Sequence, residues 1–141
     1  MRTAVDTNVL SAIWGCETNA GELARKLSDL RHKGSLVICG AVFAEALACP
    51  NASEVFLRDF LDRTGVEADF DLGEDVWTES GRRFTVDVGR RRSSSAVKTE
   101  DEVKRILADF IIGAHALRRA DCLLTLDQRR YLRDFPELRL I

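Results

Sequence analysis

Apolar residues follow two alternating rhythms along this chain. Short continuous runs, RTAVD at 2–6, SLVIC at 35–39, VEADF at 66–70 and CLLTL at 122–126, have the length and composition of buried strands. Between them apolar positions recur every three or four residues, the spacing of one helix face. Thr7 to about Trp14 reads as a short helix. Asn19 is placed to cap a second, through Leu23, Leu27 and Leu30, that stops at Gly34. AVFAEALAC at 41–49 reads as a helix ended by Pro50, and Asn51 with Glu54 as a capping pair opening the next, through Val55, Phe56, Phe60 and Leu61. A further helix runs from about Glu74 to Gly89. GRRRSSSAVK at 89–98 is the most loop-like stretch, and Thr99 with Glu102 forms a capping box before a long apolar helix to about Arg119. DQRRYLRDF at 127–135 predicts a short helix and LRLI a terminal edge strand. Strands separated by helices at this spacing imply βαβ units, so the expected fold is α/β, three layers around a central, mainly parallel sheet of four to five strands.

With 141 residues, two prolines and no internal repeat, one domain over 1–141 is expected. An apolar fraction of 45% against 31% charged excludes disordered and fibrous classes. No apolar run approaches the roughly 18 residues of a membrane helix. MRTAVDTNVL puts an acid where a signal peptide carries its apolar stretch, so a cytoplasmic protein is expected. The four cysteines and two histidines lack paired ligand spacings, which argues against zinc. A formal charge of −2 hides an asymmetry. From Glu54 to Glu79 nine acids face two arginines, while from Arg82 to Arg105 eight basic residues face four acids. Such a division orients a protein on a charged partner, or simply reflects solvated helix faces.

Four acids sit where polar-face patterning does not put them. Asp6 ends the first strand, Glu45 interrupts AVFAEALA, Asp109 interrupts ILADFIIGAHAL, and Asp127 follows CLLTL. A carboxylate in an apolar setting costs several kcal/mol unless a cation, hydrogen-bond donors or a metal meets it. In a parallel α/β sheet the carboxyl ends of the strands and the first turns of the following helices share one edge, where ligands bind. Asp6, Glu45 and Asp127 fall at that edge. Asp109 reaches it only if the helix from Thr99 breaks near Lys104 or tilts across, since it lies about 15 Å along an unbroken helix. Four converging acids make an all-oxygen site, which selects Mg²⁺ or Mn²⁺. Asn8 and Thr125, two residues from Asp6 and Asp127, are short polar groups able to orient those carboxylates. Each position also has a plainer reading: Asp6 and Asp127 as helix caps, Glu45 paired with an arginine, Asn8 and Thr125 as turn residues.

With these residues in view, the chain resembles a PIN-domain ribonuclease of the VapC toxin type. The resemblance rests on VDTNVLSA at 5–12, the acid of AVFAEAL at 41–47, LADFIIGAHAL at 107–117 and LLTLDQRRYLRDFPELRLI at 123–141. It implies a Mg²⁺- or Mn²⁺-dependent endoribonuclease acting on structured RNA such as tRNA or rRNA. It also implies a small cognate antitoxin, in a homodimer or a larger complex with it. Carried over residue by residue, the catalytic acids are Asp6, Glu45, Asp109 and Asp127, with Asp6, Asp109 and Asp127 on metal and Asn8 and Thr125 as polar support. Arg90, Arg91 and Arg92 are candidates to hold RNA phosphates. Val9, Leu10, Ile13 and Trp14 either line a partner groove or pack in the core.

Two other classes compete. A phosphoacceptor receiver domain has a similar length and edge acids, with Asp71 after the third strand, but no lysine follows Asp127 as that chemistry needs. A catalytically inactive RNA- or protein-binding module would keep the fold without metal.

Overall fold

The computed structural model describes residues 1–93 and 107–141. Its elements follow the two rhythms: β1 (Arg2–Val5), α1 (Thr7–Trp14), α2 (Ala20–Lys33), β2 (Ser35–Cys39), α3 (Gly40–Leu47), α4 (Glu54–Thr64), β3 (Val66–Asp69), α5 (Gly73–Ser93), α6 (Leu107–Arg119), β4 (Cys122–Leu124) and α7 (Gln128–Asp134). The four strands form one sheet in the order β3-β2-β1-β4, all parallel, flanked by helices. Leu36 to Cys39 and Cys122 to Leu124 are buried along their whole length, as strands covered on both faces must be. Edge strand β3 is buried only at Val66. The LRLI tail adds a single parallel bridge, Leu140 to Leu123, outside β4. The strand order reverses direction between β1 and β4, where Thr3, Ala4 and Val5 pair with Cys122, Leu123 and Leu124. That reversal is the topological switch point, and the Asp6 amide bonds across it to Leu124 O at 3.0 Å.

Helix ends correct several expectations. Asn19 stands at the N-cap position of α2 without a side-chain cap bond. The cap of α4 is Ser53, whose hydroxyl accepts from the Phe56 amide; Asn51 instead turns the chain at φ 63°. At the other end of α4, Gly65 takes the left-handed conformation (φ 66°) that closes a helix. Val9 and Leu10 are fully buried core residues, with Ile13 and Trp14 packed beside them. The Thr99–Glu102 capping box and the break near Lys104 lie outside the described residues, as do 94–98 of the loop-like stretch.

The rest of that stretch is not loop. Residues 89–93 are the last turn of α5. The reason is electrostatic: Arg91 Nε lies 2.9 Å from Asp87, one turn back, and Arg90 Nη1 3.2 Å from Asp134 on α7. Farther along α5, Glu79 holds Arg83 at 2.8 Å and Arg118 of α6 at 2.5 Å. Arg133 bridges Asp87 and Asp134 at 3.0 and 3.1 Å. These three acids are buried, and the arginines bind α5 to α6 and α7. Gly113 lets α6 approach α7 closely, since a Cβ there would stand 2.3 Å from the Phe135 ring.

Candidate active site at the switch point

Asp6 leaves β1 directly into α1 and occupies its N-cap position with extended backbone (φ −82°, ψ 153°), yet its side chain caps nothing. Its carboxylate turns to β4 instead. Oδ2 accepts from the Thr125 hydroxyl at 2.7 Å and from Asn8 Nδ2 at 2.9 Å. Asn8 is fixed in turn by the Leu126 amide, which donates to its Oδ1 at 3.1 Å, and by a 3.2 Å bond to Thr125. The two expected supporting residues thus hold one carboxylate oxygen together. Asp6 is 6% exposed. Burial pushes its pKa up, bonds from Thr125, the Thr7 amide and Tyr131 pull it down, and the charge of Glu45 adds to the rise.

Glu45 is half-buried in the second turn of α3 and accepts from the Thr7 hydroxyl at 2.5 Å. Its charge raises the pKa of Cys39 and Cys49 as well, behind the effect of burial at both. Asp127 does cap α7, accepting the Arg130 amide at 3.3 Å. Its own amide donates to Thr125 Oγ1 at 3.1 Å, tying it to the Asp6 group.

Arg130 is the residue that patterning did not single out. Its Nη1 lies 3.0 Å from Asp109 Oδ1 in the first described turn of α6, and its Nε 3.1 Å from Asp127 Oδ2. One guanidinium therefore bridges two of the four acids. Burial opposes its charge, and the two aspartates more than restore it. Tyr131, next in sequence, is 2% exposed. Burial, then the charges of Asp6 and Asp109, push its pKa well above the ordinary value, so it stays a neutral hydroxyl between them. The signal for Arg130 was present in the chain: an arginine three residues after an acid at a helix start.

Three of the four acids are therefore met in two ways, while Glu45 is held apart by Thr7. Asp6 is held by the Thr125 hydroxyl and the Asn8 amide; Asp109 and Asp127 are held by a cation. Among the described residues no three carboxylates, imidazoles or thiols stand close enough to enclose a metal ion. The donor set nonetheless fits a hard divalent cation: it is all oxygen, and the buried Asp6 carboxylate is met by neutral donors alone in the bonds above. Arg90, Arg91 and Arg92 are not part of this cluster. Arg90 nevertheless pairs with Asp134, one helical turn along α7 from Arg130, and Arg92 is exposed at the end of α5.

The fold has solved counterparts. Over all of its length the chain is similar to 98% of a chain in the crystal structure of VapBC2 from Rickettsia felis bound to a DNA fragment from their promoter (18% identity, TM-score 0.62). It is similar likewise to 97% of a chain in the structure of VapBC-1 from nontypeable Haemophilus influenzae (16% identity, TM-score 0.59). At such identities the likeness is one of fold. No curated protein matches the chain. Among the described residues no helix is long and apolar enough to cross a membrane. The PIN domain family matches residues 3–138, nearly the whole sequence, and the chain belongs to that family.

Proposed function

We propose that this protein is a Mg²⁺- or Mn²⁺-dependent endoribonuclease, the toxin of a VapC-type toxin–antitoxin pair, folded as one domain over 1–141. Membership of the PIN family and the fold shared with VapBC chains support the class, whose members are generally ribonucleases. The observation that carries the reading is Asp6: a buried carboxylate held by Thr125 and Asn8 at the switch point, its pKa raised by burial, with Asp127 tied to the same Thr125 hydroxyl.

Asp6 and Asp109 are the main ligands in this reading, and the more exposed Asp127 shares the cation or takes a second. A divalent cation there would neutralise charge on the scissile phosphate and lower the pKa of the attacking water. Glu45, anchored by Thr7, orients that water and accepts its proton. Asn8 and Thr125 fix the Asp6 oxygen, and Tyr131 keeps bulk water from its buried side. Arg90, Arg91 and Arg92, at the end of α5 closest to α7, meet the RNA phosphates, with Arg92 the most accessible. The substrate is structured RNA such as tRNA or rRNA. The protein is cytoplasmic, and its partner is a small antitoxin, with the toxin as a homodimer or in a larger complex with it.

A second reading, a metal-free RNA- or protein-binding module, is favoured by one observation: Arg130 already neutralises two of the acids. Cleavage assays separate the two. The nuclease cuts RNA in Mn²⁺, stops in EDTA, and is silenced by Asp109→Asn with the fold retained. Binding of RNA without metal-dependent cutting sinks the nuclease reading in favour of the module.

A further inference from the structure

The acid cluster contains its own cation. Arg130 projects from the first turn of α7 and is half-buried, its side chain 28% exposed, between Asp109 at 16% and Asp127 at 42%. Its fork uses Nη1 for one carboxylate and Nε for the other, so it occupies the ground between two groups assigned to a metal. A guanidinium and a divalent cation compete for the same two carboxylates: Arg130 takes one oxygen of each, and like charges in a partly buried space repel. The arginine also has somewhere to go. Its side chain is partly open to solvent, so the guanidinium can swing outward into water.

We propose that Arg130 is a built-in counter-cation that trades places with the divalent ion: it bridges Asp109 and Asp127 in the metal-free protein and releases both when a cation binds them. This rests on the nuclease reading above. Asp6, which Arg130 does not touch in these bonds, is then the first acid open to an incoming cation, and departure of the guanidinium completes the ligand set. Two consequences follow. Arg130 holds the cluster together when metal is scarce, and it raises the concentration of metal needed to load the site. Once released, the charge stays on α7 beside the acids.

The test measures binding rather than cleavage. Mn²⁺ is titrated calorimetrically into the wild type, Arg130→Met and Arg130→Lys, and melting is followed in EDTA. Exchange requires that Arg130→Met bind Mn²⁺ at least about tenfold more tightly, a gain of about 1.4 kcal/mol, while melting lower than wild type in EDTA. Arg130→Lys keeps the charge but cannot span both carboxylates, so it falls between the two. In the wild type, the Arg130 side-chain Nε–H resonance shifts on adding Mg²⁺, a readout that needs no variant to fold. Equal Mn²⁺ affinity in wild type and Arg130→Met, with binding abolished by Asp6→Asn, overturns the exchange and leaves the metal site standing. An Nε–H resonance unmoved by saturating Mg²⁺ overturns it as well. No Mn²⁺ binding to any of them removes the metal reading and the exchange together.

Discussion

Two sets of buried acids in this molecule are treated in opposite ways. Glu79, Asp87 and Asp134, beneath and beyond α5, each hold two arginines at 2.5 to 3.2 Å. The Arg118 and Arg83 guanidinium groups keep the Glu79 carboxyl below the ordinary glutamate value. Asp6, equally buried, is met by a threonine and an asparagine, and burial raises its pKa. The first set is self-sufficient and tethers three helices. The second leaves negative charge in a low-dielectric position, which is costly unless something positive arrives. Asp109 and Asp127 stand between these regimes, because Arg130 neutralises them from a helix end. Burial of an acid does not by itself mark a site; what marks it is which groups meet the charge.

The largest effect is expected at Asp6. Asp6→Asn should lower Mn²⁺-dependent RNA cleavage by about 10³-fold, about 4 kcal/mol of transition-state stabilisation, as measured in single-turnover assays. The same variant should melt higher than the wild type in EDTA at neutral pH. Next comes Glu79→Gln, which strands two arginines in the α5 interface and should cost about 3 kcal/mol in urea unfolding, with metal affinity unchanged. Gain in one case and loss in the other is the contrast in its sharpest form.

The pH dependence of the two variants separates them again. Asp6 has a folded pKa raised above its unfolded value, so its protonation favours the fold: that stability is full below about 3.8 and lost as pH rises through the folded value. Glu79 is depressed, so its contribution is present above 4.5 and lost as pH falls through the folded value. Both variants should converge on the wild type in acid. Asp6→Asn does so because the wild type gains stability, Glu79→Gln because it loses it. Chemical denaturation in EDTA across pH 3 to 8 checks both signs.

Much of the fold was legible because its signals are local. Continuous apolar strands, Gly34 and Pro50 as stops, and helical spacing place the four strands and most described helices within a few residues. Asp6, Glu45, Asp109 and Asp127 stood out because they broke apolar patterns. What escaped was non-local. Nothing in RRRSSS indicates that Arg90 will meet Asp134, 44 positions away, and keep α5 helical. Arg130 is one polar residue among four in DQRR, and beyond its local pairing with Asp127 nothing points to Asp109 until α6 and α7 are brought together, an approach that depends on the absent side chain of Gly113. The Ser53 cap is hidden in the sequence because Asn51 and Glu54 offer an equally good pair starting two residues earlier.

The smallest effect concerns the arginines of α5. Replacing Arg90 and Arg92 by alanine should reduce the slope of log K against log salt for RNA binding by about one unit each at most. Arg90 should contribute less, since Asp134 already engages it. An unaltered slope returns both to the tether between helices.

If a divalent cation belongs beside the under-neutralised Asp6, metal binding and stability are linked through that carboxylate. The direct measurement is the melting temperature of wild type and Asp6→Asn across a Mn²⁺ titration, since a ligand that binds only the folded state raises it with concentration. The wild type should start below the variant in EDTA, rise with Mn²⁺ and overtake it, while Asp6→Asn stays flat. Parallel curves for the two proteins, or a wild type indifferent to Mn²⁺, would contradict it.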